Sequence, residues 1–337
     1  MLCDGMADPA SKRGVLIMQN CCFTRNCAWL RAFFFLSCVC LCLLPAESRA
    51  GHDLIVVTGH PGEAGFGAEM EATAALWEET AKRAGHSLQR IATGEGGQLQ
   101  RLLAALSAAP AEAPEPLWVV LLGHGNAQGK APRFNLAGSD LTAEDLARGL
   151  NRFRRPVIVV AGFACSGAFL KPLAAPGRIV LAATRTGAEE NWTRFPKYFA
   201  TALAGLDADA NGDLQVSVLE AWQHAVRTTE GSYKDQGRLA TEHSALDDLG
   251  DGKASGTGLG MRASQWHLVE SAAETALTPR QRSQRESVEL EITELRQKKA
   301  SLPPDEYADA LEKLLLRLAD VYAGKPEGSA EETGRRR

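Results

Sequence analysis

Leu117-Trp-Val-Val-Leu-Leu-Gly123 and Pro156-Val-Ile-Val-Val-Ala161 are two apolar runs, and each is bounded by Gly or Pro. Short runs of this kind are typical of strands that are buried on both faces of a sheet. Asp53-Leu-Ile-Val-Val-Thr-Gly59 precedes them with the same character, and Arg178-Ile-Val-Leu-Ala-Ala-Thr184 follows them. The sequence therefore predicts a core of strands that are apolar along their whole length.

Helical segments separate these strands. The spacing of apolar residues predicts helices from about Ala68 to Ala84 and over 97–109, and Thr142 opens another with Asp145 three residues on, a capping arrangement. Apolar strands that alternate with helices favour a mostly parallel sheet covered by helices on both faces. We therefore expect an α/β three-layer sandwich, in which ligands bind outside the carboxyl ends of the strands.

A histidine and a cysteine follow two of the predicted strands. His124 comes directly after the run that ends at Gly123, and Cys165 comes shortly after the next strand. Attack by cysteine on a carbonyl carbon needs an imidazole to carry the proton and N–H groups to hold the oxyanion. We therefore expect His124 and Cys165 to be catalytic, with the N–H groups of Gly125 and Cys165 as oxyanion donors. The alternative is that both are ordinary loop and core residues.

The residues around this pair resemble the two sequence blocks of clan CD cysteine peptidases. Leu121-Leu-Gly-His-Gly125 is an apolar run that ends in His-Gly, and Val159-Val-Ala-Gly-Phe-Ala-Cys-Ser-Gly167 is an apolar run that ends shortly before Cys. Within that clan the likeness is closest to legumain and the glycosylphosphatidylinositol transamidase subunit. Leu141-Thr-Ala-Glu-Asp-Leu146 also resembles the segment between their blocks. The resemblance covers roughly residues 53–250.

This resemblance implies a caspase–haemoglobinase fold and a cysteine endopeptidase or transpeptidase that acts on peptide or protein substrates through a dyad of His124 and Cys165. The chain departs from the pattern at Phe163-Ala164, where many legumain relatives carry an acidic residue. Arg185 and Glu189-Glu190 follow the fourth strand at the same edge, so they either line a specificity pocket or are solvated loop charges. The alternative function is a caspase-like module without turnover that binds a peptide or a protein.

Charge and composition exclude other classes of function. The 337 residues are 45% hydrophobic and 23% charged, as in ordinary globular proteins, and a formal net charge of −4 leaves no basic field for a nucleic acid. The sequence has neither a GxxxxGK[ST] loop nor a GxGxxG turn between a strand and a helix, so no nucleotide site is predicted. The cysteine chemistry itself requires no cofactor.

The cysteines are concentrated near the amino end. Seven of the eight lie before residue 50, in a segment with the order of a secretory signal: two arginines, an apolar run and small residues at the cleavage point (Arg25, Arg31, Ala32–Leu44, Ser48 and Ala50). We therefore expect residues 1–50 to be a signal peptide, with Met18 as an alternative start, and the protein to be periplasmic or secreted. An uncleaved anchor and lipidation of Cys38 are the alternatives. A solitary thiol, Cys165, in an exported protein indicates reactivity.

An acidic segment before a predicted helix fits most of an EF-hand calcium loop. Oxygen ligands fall at the motif's positions in Asp209, Asn211, Asp213, Gln215 (through its backbone oxygen), Ser217 and Glu220. Position six, where the motif has Gly for a sharp turn, is Leu214. A frame that starts at Asp207 places Gly212 there but leaves Val218 at the last position. The hypothesis is a bound calcium ion; the alternative is a turn whose side chains bond their own backbone.

The remaining sequence divides by composition. Residues 51–270 form the predicted caspase- or legumain-like domain. Heptad-like apolar spacing over 281–299 and 304–322, interrupted at Pro303-Pro304, predicts a helical hairpin over 278–323. We expect this hairpin to pack on the domain or to bind a protein partner, and residues 324–337 to form a disordered tail.

Overall fold

The computed structural model describes residues 51–94, 97–127, 131–254 and 260–324. The signal segment predicted for 1–50 and the tail from residue 325 onward lie outside these ranges, so they stay predictions. No helix within the described ranges is long and apolar enough to cross a membrane.

Most strands belong to one central sheet. In chain order the strands are β1 (Asp53–Thr58), β2 (Ser87–Ile91), β3 (Leu117–Gly123), β4 (Gly125–Asn126), β5 (Arg133–Phe134), β6 (Leu141–Thr142), β7 (Val157–Phe163), β8 (Arg178–Ala182) and β9 (Ala245–Asp247). The central sheet has the order β2-β1-β3-β7-β8-β9, and only the β8–β9 pair is antiparallel. Strands β4, β5 and β6 form a small antiparallel sheet beside it.

Helices cover both faces of the central sheet. Within the described ranges they are α1 (Ala64–Arg83), α2 (Gln98–Ala108), α3 (Ala143–Leu150), α4 (Leu170–Leu173), α5 (Phe195–Ala204), α6 (Val218–Lys234), α7 (Ala272–Thr275), α8 (Pro279–Gln297) and α9 (Pro304–Tyr322). Helices α1, α5 and α6 pack on one face, and α2, α3 and α4 pack on the other.

The strands are apolar throughout because both of their faces are buried. In β3, Trp118 and Val120 point into the cluster under α1, whereas Val119 and Leu121 point into the cluster under α2. Successive residues of a strand alternate between the two faces, so a strand covered on both sides needs an apolar residue at every position. The predicted three-layer α/β sandwich with a mostly parallel sheet is confirmed.

The carboxy-terminal hairpin is also confirmed. Helix α9 begins at Pro304, where a missing N–H costs nothing in the first turn of a helix. A buried ion group joins the hairpin to α7: the Arg285 guanidinium lies 2.8 Å from Glu274 and 2.8 Å from Glu289. The Tyr322 hydroxyl of α9 also donates to Glu274, at 3.3 Å. Both helices are therefore connected to one short element of the domain.

Candidate active site

The ends of β3 and β7 bring the predicted dyad to one place. The two strands are parallel neighbours, and Gly123 pairs with Phe163 at their carboxyl ends. A Cβ added to Gly125 would overlap the carbonyl oxygen of Ala164 and the ring of Phe163. Glycine is therefore required for the chain after His124 to pass this close to the chain before Cys165.

The imidazole of His124 is held in one tautomer by a backbone group. Its Nε2 lies 3.2 Å from the carbonyl oxygen of Pro61. A carbonyl oxygen can only accept, so Nε2 carries the proton when the ring is neutral and Nδ1 keeps its lone pair. Among the described residues Nδ1 has no hydrogen-bond partner. His124 can therefore take a proton at Nδ1 without losing its bond to Pro61.

Two aromatic rings fix the plane of His124. Phe66 packs edge-on against it, with ring centroids 5.3 Å apart, and Trp192 lies at 4.9 Å. Phe66 and Trp192 also stack on each other at 4.6 Å, and the indole N–H of Trp192 donates to Glu69 at 2.7 Å. This wall holds the His124 ring in one orientation.

Cavities lie on both sides of that wall. A cleft of about 540 Å³ opens directly onto His124 and Gly125, with His60, Glu63, Asn135 and Asp140 among its lining residues. A second cavity of about 600 Å³ lies beyond Phe66 and Trp192, between α1 and α5. Ligand sites in proteins usually have volumes in this range.

Cys165 is buried and its backbone is strained. Its φ is 63°, in the left-handed region that residues other than glycine rarely adopt, and its exposed fraction is 2%. Burial raises the pKa of the Cys165 thiol, and the negative charge of Glu190 raises it further, while a hydrogen bond from the Ala127 N–H lowers it. The thiol is therefore protonated at neutral pH in this conformation and needs a base to become a nucleophile.

The turn after Cys165 is fixed to the end of β8. The N–H of Thr184 donates to the Ser166 hydroxyl at 3.1 Å, and the N–H of Gly167 donates to the Thr184 hydroxyl at 2.9 Å. These two bonds explain why a left-handed cysteine is tolerated, because the turn is bonded on its other side to a core strand. Ser166 is thereby given a structural role.

The predicted oxyanion donors are only partly available. The N–H of Cys165 donates to the carbonyl oxygen of Glu189 at 2.8 Å, so in this conformation it cannot bind a substrate oxygen. The role of that N–H as an oxyanion donor stays a prediction, and it requires the bond to Glu189 to break first. Gly125 lies at the edge of the cleft, where its assignment as a donor stays a prediction.

The charges after β8 are not simply solvated. The Glu189 carboxylate accepts from the N–H of Arg185 at 3.1 Å and from the N–H of His243 at 3.0 Å. The same carboxylate lies 3.1 Å from the His243 Nδ1. Neither alternative predicted for Glu189, a specificity pocket or a solvated charge, describes this placement. Sequence reasoning missed the bond because His243 lies far along the chain, after α6.

The acidic loop has the path of a calcium loop but uses its oxygens internally. Asp209 accepts from the N–H groups of Gly212 and Leu214, at 2.8 and 3.0 Å, and Leu214 has the left-handed φ of 66° that glycine usually supplies. Glu220 accepts from the N–H groups of Ala210 and Ser217, at 3.1 and 2.9 Å.

The same carboxylates do not converge on a point. Within the described residues the loop contains no group of three acidic side chains whose oxygens lie within 4.8 Å of one another. Ser217 and Glu220 form the capping box of α6 instead. Burial raises the pKa of Asp213, and the charges of Glu220 and Asp209 add to that rise. Calcium binding by this loop stays a prediction.

One histidine–carboxylate group in the described ranges does converge, at the amino edge of the sheet. It consists of His52, Glu115 and Glu270, and the first two are 2% and 3% exposed. The indole N–H of Trp118 donates to the His52 Nδ1 at 3.1 Å, so the proton of the neutral ring is on Nε2, which lies 3.4 Å from Glu115. A metal would need that nitrogen without its proton. The group is therefore a hydrogen-bonded part of the core, and no sequence spacing indicated it.

Comparison with known proteins shows a distant likeness to solved structures. The sequence matches no protein-family model, and no curated protein matches it. Among solved structures the chain is similar to the Drosophila initiator caspase Dronc, with 14% identity and a TM-score of 0.43 over 60% of this chain and 81% of that chain. A likeness this low says nothing of activity, so the function is inferred from the geometry of the site alone.

Proposed function

We propose that the chain is a cysteine peptidase or transpeptidase in which Cys165 is the nucleophile and His124 is the general base. The observation that carries the proposal is the pairing of β3 with β7, which brings a histidine with an open Nδ1 to the same strand ends as a cysteine in a strained turn. Backbone strain in a non-glycine residue is typical of functional sites.

The proposed reaction forms and then resolves a thioester. The Cys165 thiol gives its proton to the His124 Nδ1, and the sulfur attacks the carbonyl carbon of a peptide bond. The C–N bond then breaks, and His124 returns the proton to the leaving amine. Water or a second amine attacks the thioester, the C–S bond breaks, and the thiol is regenerated. Water gives hydrolysis, whereas the amine gives a new peptide bond.

The raised pKa of the Cys165 thiol has a consequence for this scheme. A thiol that is protonated at rest cannot react alone, so attack requires His124 to remove the proton as the substrate binds. We therefore expect the rate to depend on His124 as the proton acceptor.

Cleavage of a diverse peptide library tests the proposal. The peptides that appear when the wild-type protein is added would be measured again with Cys165→Ala and with His224→Ala. The second variant is the matched control, because the half-buried His224 side chain lies on α6 away from the cleft. Cleavage that is lost in Cys165→Ala and kept in His224→Ala is expected. Adding hydroxylamine tests for the thioester itself, because a thioester intermediate is then converted to a hydroxamate. Cleavage that persists in Cys165→Ala would refute the proposal.

A module without turnover is the second candidate, and one observation favours it. Cys165 is 2% exposed and its N–H is occupied by the chain itself. A closed nucleophile is compatible with a cleft that only binds peptides. In that case the library would yield bound peptides and no products, and binding would be lost on substitutions at the cleft such as Asp140→Ala but not in Cys165→Ala.

A further inference from the structure

Residues 185–190 pack against the turn that contains Cys165. A Cβ added to Gly167, two residues after Cys165, would overlap the backbone of Arg185. A Cβ added to Gly187 would come within 2.9 Å of the Ala127 side chain and 3.1 Å of the Ala168 side chain. The segment therefore contacts both the chain that follows His124 and the turn that follows Cys165.

The carbonyl oxygen of Glu189 is the part of this segment that reaches the reacting residue. It accepts the N–H of Cys165 at 2.8 Å. A substrate carbonyl that is attacked by Cys165 must direct its oxygen at N–H donors of the same kind, since these stabilise the oxyanion. The Glu189 carbonyl and the substrate carbonyl therefore compete for one donor.

The Glu189 side chain anchors that carbonyl. Its carboxylate accepts from the backbone N–H groups of Arg185 and His243, and it lies 3.1 Å from the His243 imidazole. His243 is in turn held close to the sheet, because the hydroxyl of the next residue, Ser244, donates to the carbonyl oxygen of Ala182 in β8 at 2.8 Å. The His243 and Glu189 side chains are 42% and 18% exposed, so water can replace this contact at a low cost.

We propose that residues 185–190 are an autoinhibitory cover, in which the Glu189 carbonyl occupies the place of the substrate's carbonyl oxygen and the Glu189–His243 contact holds the cover closed. The proposal rests on the proposed function of Cys165 as a nucleophile. It adds that the resting protein is closed by its own backbone. Productive binding then requires the Cys165 N–H to exchange the Glu189 carbonyl for the substrate oxygen.

Alkylation of Cys165 by iodoacetamide at pH 8 measures the opening of the cover without any substrate. The label is quantified by mass spectrometry on the tryptic peptide that contains Cys165, in the full chain. Glu189→Ala removes the anchor, and we expect labelling roughly tenfold faster than in the wild type. His243→Ala leaves the backbone N–H bonds in place, so a smaller increase, about threefold, is expected. Glu79→Ala, an exposed carboxylate of α1, is the matched control and should label at the wild-type rate.

A second measurement keeps the test independent of thiol chemistry. The amide of Cys165 is protected by the Glu189 carbonyl, so its hydrogen exchange should accelerate in Glu189→Ala in parallel with labelling. A folded Glu189→Ala protein that labels and exchanges at the wild-type rate would overturn the cover. If Glu189→Ala fails to fold, His243→Ala decides in the same way, because it removes only a partly exposed imidazole.

The possible outcomes distinguish the proposed cover from the proposed peptidase activity. Faster labelling with no cleavage of any peptide supports the cover and removes the proposed activity. Peptide cleavage by the wild type together with unchanged labelling in Glu189→Ala would support the proposed activity and contradict the proposed cover. Faster labelling together with faster cleavage in Glu189→Ala supports both.

Discussion

The two edges of the central sheet each hold a histidine, and the two rings are bonded differently. At the amino edge His52 is 2% exposed, accepts from the Trp118 indole at Nδ1 and faces Glu115 with Nε2. At the carboxyl edge His124 is half-buried, and among the described residues its ring bonds through Nε2 alone, to the carbonyl of Pro61. The comparison shows that the His52 ring is bonded at both nitrogens, whereas the proposed proton-transfer role of His124 needs a nitrogen that is open. A ring with both nitrogens occupied cannot accept a proton without losing a bond.

The surroundings of the two histidines follow the same division. His52 stacks on His86 with ring centroids 4.3 Å apart and an interplanar angle of 2°, and the N–H of His52 donates to the His86 Nδ1 at 3.1 Å. His124 instead lies at the opening of a cleft of about 540 Å³. Polar groups at the amino edge are therefore partnered within the core, whereas the histidine at the carboxyl edge lines an open cleft.

The largest expected effect is that of His124→Ala on catalysis. Removal of the base should lower kcat/KM for a cleaved peptide by about a thousandfold or more, because the protonated thiol then has no proton acceptor. The melting temperature should change by only a few degrees, since the ring is half-buried. Steady-state kinetics and thermal unfolding measure the two effects. A large loss of stability with unchanged activity would reverse the roles assigned to the two edges.

His52→Ala is the matching test at the amino edge. It leaves the Trp118 N–H and the Glu115 carboxylate buried without their partner and creates a void, so we expect the free energy of unfolding to fall by about 3 kcal/mol. Urea unfolding at pH 7 gives the value, with His224→Ala as the control for loss of an imidazole on a helix. Labelling of Cys165 in the folded fraction should be unchanged.

Glu289, a half-buried carboxylate of the hairpin, extends the comparison to a pH dependence. Burial raises the pKa of Glu289 to about 7, and the charges of Asp213 and Glu274 act in the same direction, against the Arg285 guanidinium. The folded protein therefore binds this proton more tightly than the unfolded chain. The contribution of Glu289 to stability is complete below its unfolded pKa of roughly 4.3 and is lost as the pH rises to about 7.

Glu289→Gln should remove that loss. We expect the difference in unfolding free energy, variant minus wild type, to increase by roughly 3 kcal/mol between about pH 4 and pH 8. Urea unfolding across this range measures it. A difference that does not change with pH would mean that Arg285 keeps Glu289 ionised throughout.

Calcium binding can be tested at the acidic loop, where the carboxylates of Asp209, Asp213 and Glu220 already accept backbone N–H groups. If the oxygens that remain bind calcium, a concentration about tenfold above Kd should stabilise the chain by roughly 1.4 kcal/mol. Thermal unfolding with calcium or with EDTA measures the change, and Asp209→Asn should weaken it. An unchanged melting temperature would favour a turn whose side chains serve only their own backbone.

The smallest effect is expected from Glu190→Gln. This exposed carboxylate contributes to the raised pKa of the Cys165 thiol, after the larger effect of burial. Its neutralisation should shift the pH profile of Cys165 alkylation to lower pH by a few tenths of a unit, and less at high salt, because an exposed charge is screened. A shift that salt leaves unchanged would mean that the variant alters the cover rather than the charge.

The layers of the fold could be predicted because apolar runs have a strong and local signal. The predicted strands from Asp53, Leu117, Pro156 and Arg178 all belong to the central sheet, and the predicted cap of α3 is present, with the Asp145 N–H donating to the Thr142 hydroxyl at 3.0 Å. Strand β2 was missed because it alternates between buried and exposed residues at the edge of the sheet and is short. Its polar side chains resemble a loop in sequence.

Only the side chains of the candidate site, and not its backbone contacts, could be predicted from the sequence. The positions of His124 and Cys165 after apolar runs placed them at one sheet edge, because parallel strands end together. The Pro61 carbonyl that sets the histidine tautomer and the Glu189 carbonyl that occupies the Cys165 N–H are backbone groups, which every residue carries. No residue type or spacing can therefore indicate them.

The sequence by itself determined which residues are buried, where the chain turns from strand to helix, and that one thiol and one imidazole follow neighbouring strands. These features depend on side-chain hydrophobicity and short-range spacing, which can be read along the chain. Only the tertiary structure decided which nitrogen of His124 is open, that Cys165 is covered, and that His52 belongs to the core. Those properties are set by contacts between segments far apart in sequence, such as Pro61 with His124 and Glu189 with His243.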